Sequence, residues 1–135
     1  MNQKEQKYTL TVTRKQLMLI ANCLEDISRF LAGQTELWHT CAYLENCTEI
    51  RSKLKEIKSL VTPNLPENGY YSWCGDGCEN KKQAEYIAKT YTIYREILHK
   101  ITVLNKSDNE EYNVYNSTTL TSKLGGELPK IEKLN

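Results

Sequence analysis

The stretch Cys74-Gly-Asp-Gly-Cys78 is the part of this chain that most resembles a chemical site. Zinc takes four nitrogen or sulfur ligands in a tetrahedron, and paired cysteine ligands commonly lie two to four residues apart. His39, Cys41 and Cys47 would complete a set if their segment folded onto this loop. The sequence holds no second tight pair, so we expect a turn with unliganded thiols and predict no metal and no cofactor. A small zinc- or thiol-dependent enzyme that uses Cys74 and Cys78 is the alternative.

Sequence motifs for catalysis are missing elsewhere in the chain. The histidines, His39 and His99, lie outside any nucleophile motif, and neither Gly-x-Ser-x-Gly nor His-Glu-x-x-His occurs. Gly125-Gly126 is followed by Glu127 rather than by Lys-Ser/Thr, which argues against a nucleotide hydrolase. We therefore predict a protein without catalytic residues.

A second group of side chains could bind a ligand without transforming it. Aromatic rings beside arginine can stack on a base and hold a phosphate, form a protein-binding hot spot, or simply build a core. The core is the expected role of Tyr91 and Tyr94, whereas Arg95, at the edge of an apolar helical arc, is expected to face a pocket. The predicted ligand-binding residues are Arg29, Gln34, Trp38, Tyr71, Trp73, Tyr91 and Arg95.

Two of these residues, Tyr91 and Arg95, lie on a central helix that the sequence predicts over Asn80–Asn105. Its apolar side chains recur at alternating steps of three and four and cover roughly half of the circumference. Asn80 suits the N-cap, with Gln83 as its capping-box partner. The apolar face is predicted to contain Ala84, Tyr86, Ile87, Tyr91, Ile93, Tyr94, Ile97, Leu98 and Ile101, and the polar face Glu85, Lys89, Thr92, Glu96 and Lys100.

An earlier helix is predicted over about Arg14–Ala32, with Thr13 as its N-cap and Gln16 as the capping-box partner. Its apolar residues follow heptad spacing. Arg29 lies four residues after Glu25, so an exposed ion pair is its expected role.

The middle of the chain carries a second periodic segment. Gly33 marks an end, a bend or a close approach, since glycine inside a helix costs roughly 1 kcal/mol relative to alanine. The periodic segment runs from Glu36 to Val61, with a weak point at Asn46–Thr48 where it could split, and Thr62-Pro63 stops it. The connection over residues 61–79 is rich in aromatic residues, so we expect it to pack on the helices.

The two ends of the chain give the remaining structural signals. Tyr8–Thr13 alternates apolar and polar residues, which predicts a short strand that must pair with another segment or with a second copy. We predict one helical domain over residues 1–105 and a polar C-terminal tail over residues 106–135. Within the tail, Tyr112–Tyr115 is a candidate strand and Leu120–Leu134 a candidate final turn, in a composition typical of disorder. The predicted fold class is mainly α: a bundle of three to four helices with the N-terminal strand paired to the tail or a second subunit.

Composition limits the classes of partner. The chain has 135 residues and a formal net charge of +1, which does not favour non-specific binding to nucleic acid or membranes. It contains no apolar run of membrane-spanning length and no hydrophobic segment of a signal peptide, so we expect a cytoplasmic protein. The five cysteines are expected to be thiols. A DNA-binding regulator is a further, disfavoured alternative.

Several stretches within residues 8–104 follow a joint pattern: Thr13-Arg-Lys-Gln-Leu17, Ile20-Ala-Asn22, Ser28-Arg-Phe-Leu-Ala-Gly-Gln-Thr-Glu-Leu37, Tyr71-Ser-Trp73 and Ile87-Ala-Lys-Thr-Tyr-Thr-Ile-Tyr-Arg-Glu-Ile97. This pattern resembles small helical proteins carried by phages and prophages of gut bacteria. The resemblance implies a phage or mobile-element origin and carries over no activity and no catalytic residue.

The functional prediction follows from these points. We predict a non-enzymatic accessory binding protein that acts in the host cytoplasm as a homo-oligomer and counteracts host defence. It would either sequester a small anionic, nucleotide-like signal or occlude a host protein. By analogy, small phage accessory proteins often work by binding.

Overall fold

The computed structural model describes residues 5–105 and 114–134, and this part of the chain is mainly helical, as predicted. It contains no strand within those residues. The elements are α1 (Arg14–Ala32), α2 (Trp38–Cys41), α3 (Cys47–Glu56), α4 (Lys58–Val61), α5 (Lys81–Leu104) and a 3-10 turn at Val114–Asn116.

The caps of the two long helices explain where they begin. At α1 the predicted capping box is confirmed: Gln16 N donates to Thr13 Oγ1 (3.1 Å), and Thr13 N donates to Gln16 Oε1 (2.9 Å). At α5, Asn80 Oδ1 accepts from the backbone N–H groups of Lys82 and Gln83, as an N-cap does. The box at α5 was predicted wrongly, because the Gln83 amide instead donates to Leu31 O (2.8 Å) and Val61 O (2.9 Å).

Helices α1 and α5 pack against each other in opposite directions and form the core. Ala21, in the first half of α1, belongs to one buried cluster with Tyr94 and Leu98 of α5. Ala32, at the end of α1, lies against Ile87 near the start of α5. Between these contacts Ser28 Oγ donates to the Ile87 carbonyl (3.0 Å), so the small side chains of α1 let it approach the α5 backbone. Burial of these apolar groups is the main force that holds the pair together.

The C-terminal residues 114–134 run back along α5. The Nδ1–H of His99 donates to the Tyr115 carbonyl (2.7 Å), and Thr119 Oγ1 donates to Glu96 Oε1 (3.0 Å). Further along, Gly125 lies directly over Thr92. The contacts therefore move toward the start of α5 as the tail proceeds.

This tail changes which face of α5 is covered. Thr92 and Glu96 were predicted to be polar surface residues, but they are only 1% and 6% exposed beneath the tail. Conversely Tyr86 and Ile93, assigned to the apolar face, are exposed. The buried polar groups keep hydrogen bonds, since Thr92 Oγ1 donates to Ala88 O and Glu96 accepts from Thr119.

The middle segment is three short helices rather than one long one. It divides at the predicted weak point, where Asn46 immediately precedes α3. None of the residues of α3 or α4 is fully buried, although several are apolar. Helix α2 is capped from α1: the Asp26 carboxylate accepts from His39 N (3.1 Å) and Thr40 N (2.7 Å). The periodicity of this segment indicated helix correctly but did not indicate its division into α2, α3 and α4.

The predicted strand at Tyr8–Thr13 is not seen. The segment has no regular structure, and Tyr8 is 89% exposed. Of its predicted local partner, Tyr112–Tyr115, the first two residues lie outside the described residues, and Val114–Asn116 is a 3-10 turn. The N-terminal segment instead meets the tail through an exposed Lys7–Glu127 ion pair (2.8 Å).

Gly33 ends α1 and turns the chain sharply. Its φ of 108° is left-handed, Gln34 N donates to Arg29 O (2.8 Å), and Gly33 N donates to Phe30 O (3.0 Å). These are the two bonds of a Schellman motif. A Cβ on Gly33 would lie 2.8 Å from Cγ2 of the buried Thr62, so the position is also a close approach, as the sequence indicated.

We expect Gly33→Ala to lower the free energy of unfolding by more than Gly126→Ala does. Both replacements force alanine into a left-handed conformation, which costs about 1–2 kcal/mol, but only Gly33 would meet another atom within 4 Å. Urea denaturation of both variants measures the difference. Equal losses would contradict the close approach at Gly33.

Candidate functional site

The candidate site is a cleft of about 480 Å³ where the end of α1, the residue 70–73 loop and the first half of α5 meet. Ligand sites commonly have volumes of roughly 300–1,000 Å³. The cleft is partly open to solvent. It is lined by Ser28, Arg29, Ala32, Gln34, Tyr70, Tyr71, Ser72, Trp73, Ile87, Tyr91 and Tyr94.

The turn at Gly33 builds the polar side of this cleft. It reverses the chain so that Gln34 comes back beside the last turn of α1, where Arg29 Nη1 donates to Gln34 Oε1 (2.7 Å). Arginine has no acceptor, so the oxygen of the amide must face it. The Gln34 NH₂ group is therefore not bonded to Arg29 and is a hydrogen-bond donor.

The loop over residues 70–73 builds the opposite side. Tyr71 N donates to Ala32 O (2.7 Å), which attaches the loop to the end of α1. The Tyr71 ring is buried beside Ile87, and its hydroxyl donates to Asn64 Oδ1. Trp73 is thereby held over α5.

Three aromatic rings form a continuous wall in the cleft. The centroids of Trp73 and Tyr91 are 4.9 Å apart at 35°, and those of Tyr91 and Tyr94 are 5.5 Å apart at 82°. Offset and edge-to-face pairs of this kind are favourable beyond their buried area. The wall presents flat, partly exposed ring surface on which a planar group could stack.

The positive charge in the cleft belongs to Arg29, and the buried carboxylate of Glu25 pairs with it. Arg29 Nε lies 3.0 Å from Glu25 Oε2, and His39 Nε2 lies 2.8 Å from Glu25 Oε1. The predicted ion pair between Arg29 and Glu25 is therefore present. It is not exposed on both sides, however, because Glu25 is only 7% exposed.

The ionisation of these side chains is shifted toward protonated forms. Burial raises the pKa of Tyr94 far above its ordinary value, and the Glu25 carboxylate raises it further. Burial also raises the pKa of Tyr91, against the lowering effect of Arg95. Burial lowers the pKa of Arg29, but its hydrogen bond to Glu25 and the nearby Tyr94 raise it, with a net upward shift. At neutral pH the cleft therefore presents neutral phenols and a charged guanidinium.

The structure brings five of the seven predicted ligand-binding residues to the cleft. These are Arg29, Gln34, Tyr71, Trp73 and Tyr91. The sequence did not indicate Ser28, Ala32 or Ile87, since small and aliphatic residues of a helix resemble any other core position. It did place Glu25 one helical turn before Arg29, which was the available signal for the counterion.

The other two predicted residues lie elsewhere. Trp38 is 57% exposed on α2, where the Arg51 guanidinium stacks on it at 4.3 Å. Arg95 stacks on the Tyr115 ring at 4.7 Å, and its Nη2 donates to Val114 O (3.3 Å), so it holds the tail. Tyr91 thus lines the cleft, whereas Arg95 does not.

Three residues of the alternative metal site have other partners. The Cys74 thiol donates to Ser72 Oγ (3.4 Å), the Cys78 thiol donates to Asn80 O (3.4 Å), and His39 is bonded to Glu25. All five cysteines are free thiols. Residues 5–105 and 114–134 contain no group of three or more His, Cys, Asp or Glu side chains that could hold a metal ion.

Comparison with protein-family models, with curated proteins and with solved structures found no match to this chain. Among the described helices, none combines the length and apolar character needed to span a bilayer.

We expect Arg95→Ala to loosen the tail. The substitution removes the stacking on Tyr115 and the bond to Val114 O, so amide hydrogen exchange over residues 114–134 should accelerate. Arg51→Ala is the matched control, because it also removes a stacked arginine that donates to a backbone carbonyl, at Trp38. Equal exchange of the tail in both variants would show that Arg95 does not hold it.

Proposed function

We propose that this chain is a non-enzymatic binding protein that captures a small anionic, nucleotide-like ligand in the cleft at the end of α1. The observation that carries the proposal is the convergence of five aromatic residues and one arginine on a single cavity. The lining aromatic residues are Tyr70, Tyr71, Trp73, Tyr91 and Tyr94.

The chemistry of the cleft supports a ligand with two parts. Stacking of a base on an aromatic side chain contributes about 1–3 kcal/mol, and the Trp73–Tyr91 wall offers such a surface. A hydrogen bond from a charged donor to an anion contributes about 1.5–3 kcal/mol, and Arg29 is that donor. A planar ring and an acidic group a few bonds apart would use both.

The biological role in this proposal is that of a phage accessory factor. The support is the resemblance to small helical proteins of phages and prophages, together with a sequence in which catalytic motifs are missing. In this role the protein would work in the host cytoplasm and withdraw a nucleotide-like signal on which host defence depends. Capture alone is sufficient for such a role, so no catalytic residue is required.

Occlusion of a host protein is the second candidate, and one observation favours it. The segment from α2 to α4 exposes large apolar side chains, which are typical of the centres of protein interfaces. They are Trp38, Tyr43, Leu44, Ile57 and Leu60. Mass spectrometry of small molecules released by denaturation, beside a pull-down of host proteins, would distinguish the two mechanisms.

We also propose that Tyr8–Thr13 forms a strand when two copies associate. The segment is extended at Thr13, apolar and polar residues alternate along it, and Tyr8 and Leu10 are exposed in the single chain. A second copy would supply the backbone partners that a lone strand requires. A two-fold axis through the paired strands would make the contact the same for both copies.

Deletion of residues 1–12 should reduce the oligomer to a monomer, because it removes the pairing strand. Light scattering of the full-length and shortened chains at matched concentration is the measurement. A full-length chain that is monomeric at tens of micromolar, where dimers of about micromolar dissociation constant would form, would overturn the self-association.

A ligand that stacks in the cleft should change the fluorescence of Trp73 and leave that of Trp38 unaltered. The sequence has two tryptophans, so Trp38→Phe leaves Trp73 as the sole reporter, and Trp73→Phe leaves Trp38 as the control. The probes are the cyclic monophosphates of the common RNA nucleosides, and benzoate as a plain aromatic anion. In the Trp38→Phe background, Tyr91→Leu should weaken binding by about tenfold or more, equivalent to loss of one stacking contact.

The result that contradicts the proposal is equally specific. If no probe changes Trp73 fluorescence at millimolar concentration, or if Trp38 responds as strongly as Trp73, the cleft is not the ligand site.

A further inference from the structure

We propose that the cleft selects ligands that carry a single negative charge beside a planar ring, because Glu25 limits the charge that Arg29 can offer. This inference rests on the proposed function and names the chemical class of its ligand. The class comprises ring-bearing phosphodiesters, such as cyclic nucleotides, and aromatic carboxylates.

The first observation is the number of charges at the cleft. Of the described residues that line it, Arg29 is the single charged one. Arg95, the other arginine expected there, is engaged with Tyr115 and Val114. The neighbouring phenols of Tyr91 and Tyr94 are neutral at neutral pH, since their pKa values are raised. Among the described lining residues, the positive charge is therefore that of the Arg29 guanidinium; Arg95 lies outside the lining, close enough to Tyr91 to lower its pKa.

The second observation is the fixed counterion. Glu25 lies one turn before Arg29 on α1, is almost completely buried, and pairs with Arg29 Nε at 3.0 Å. His39 bonds the other carboxylate oxygen at 2.8 Å and holds it in place. The end of α1 adds the partial negative charge of a helix C-terminus. A ligand with two charges would bring a second negative charge close to these groups without a second cation among the described lining residues to balance it.

The third observation is the set of donors. Arg29 uses Nε for Glu25 and one N–H of Nη1 for Gln34, which leaves guanidinium N–H groups toward the cleft. Gln34 uses its oxygen for Arg29, so its NH₂ group can donate to a ligand. Two adjacent donor groups match the two oxygens of one carboxylate or one phosphodiester. The donors therefore suffice in number for one anionic group.

The test is a charge series on one ring, measured by isothermal titration calorimetry. Adenosine is neutral, cyclic adenosine monophosphate carries one charge, and adenosine monophosphate and triphosphate carry more. The same comparison is made with the other RNA bases, and with benzoate against phthalate for the carboxylates. We expect the singly charged member of a series to bind at least about tenfold more tightly than the neutral or the doubly charged one. Binding of the nucleotide series would indicate a phosphodiester ligand, and binding of the benzoate series would indicate a carboxylate ligand.

Two results of this series would contradict the inference, and only one of them would also contradict the proposed function. Affinity that rises with every added phosphate would overturn the charge limit while leaving the proposed function intact. The absence of binding in every series would overturn the proposed function, and this inference with it.

A variant tests the role of Glu25 directly. Glu25→Gln keeps the size and hydrogen-bonding oxygen of the side chain but removes its charge, so the affinity for adenosine monophosphate should rise until it equals or exceeds that for the cyclic form. Glu85→Gln is the matched control, because Glu85 pairs with Lys89 four residues on and lies away from the cleft. Unchanged selectivity in a folded Glu25→Gln protein would overturn the inference.

A second variant covers the case in which Glu25→Gln does not fold. Gln34→Glu, at the partly exposed edge of the cleft, places another carboxylate on Arg29. Binding of the singly charged ligand should fall by about tenfold or more, whereas binding of neutral adenosine should change little. Equal retention of both would contradict a charge limit at Arg29.

Discussion

The end of α1 is the constraint on which the rest of the molecule depends. The last four carbonyl groups of a helix lack partners within it and need others. Here Arg29 O and Phe30 O accept from Gln34 N and Gly33 N, while Leu31 O accepts from the Gln83 side chain and Ala32 O from Tyr71 N. These four bonds bring three parts of the chain to one place: the reversed turn, the first turn of α5 and the aromatic loop. The cleft lies where those parts meet, so helix termination and site formation have the same cause.

The long helices could be predicted from sequence because their information is local. Thr13 with Gln16, Asn80, and the apolar periodicity of α1 and α5 act within a few residues. Gly33 was also recognisable, since its left-handed turn and its close approach to Thr62 both favour glycine. The fate of Gln83 was not predictable, because its partners, Leu31 and Val61, are distant in the chain.

The site was predictable only as far as residue type suggested it. Aromatic residues near a turn and an arginine in a last helical turn are suited to a cleft, and five of the seven candidates do line it. Trp38 and Arg95 do not line it, because each stacks against a residue elsewhere in the chain, Arg51 and Tyr115 respectively, that residue type alone does not reveal. Composition also concealed the path of the tail. Gly125 of the tail covers Thr92, and Thr119 of the tail donates a hydrogen bond to Glu96; hydropathy registers neither contact.

Because Asp26 of α1 caps α2, this short helix requires a folded α1 for its stability. Four residues cannot sustain a helix alone, because nucleation fixes more backbone freedom than one bond repays. The amides of His39 and Thr40 are held by a carboxylate that sits on α1 and is positioned only while α1 is folded. Helix α2 is therefore stable only while α1 is folded, and it should unfold together with α1 as one cooperative unit. His39, which reaches Glu25 from this helix, can hold the counterion of the cleft only within that same unit.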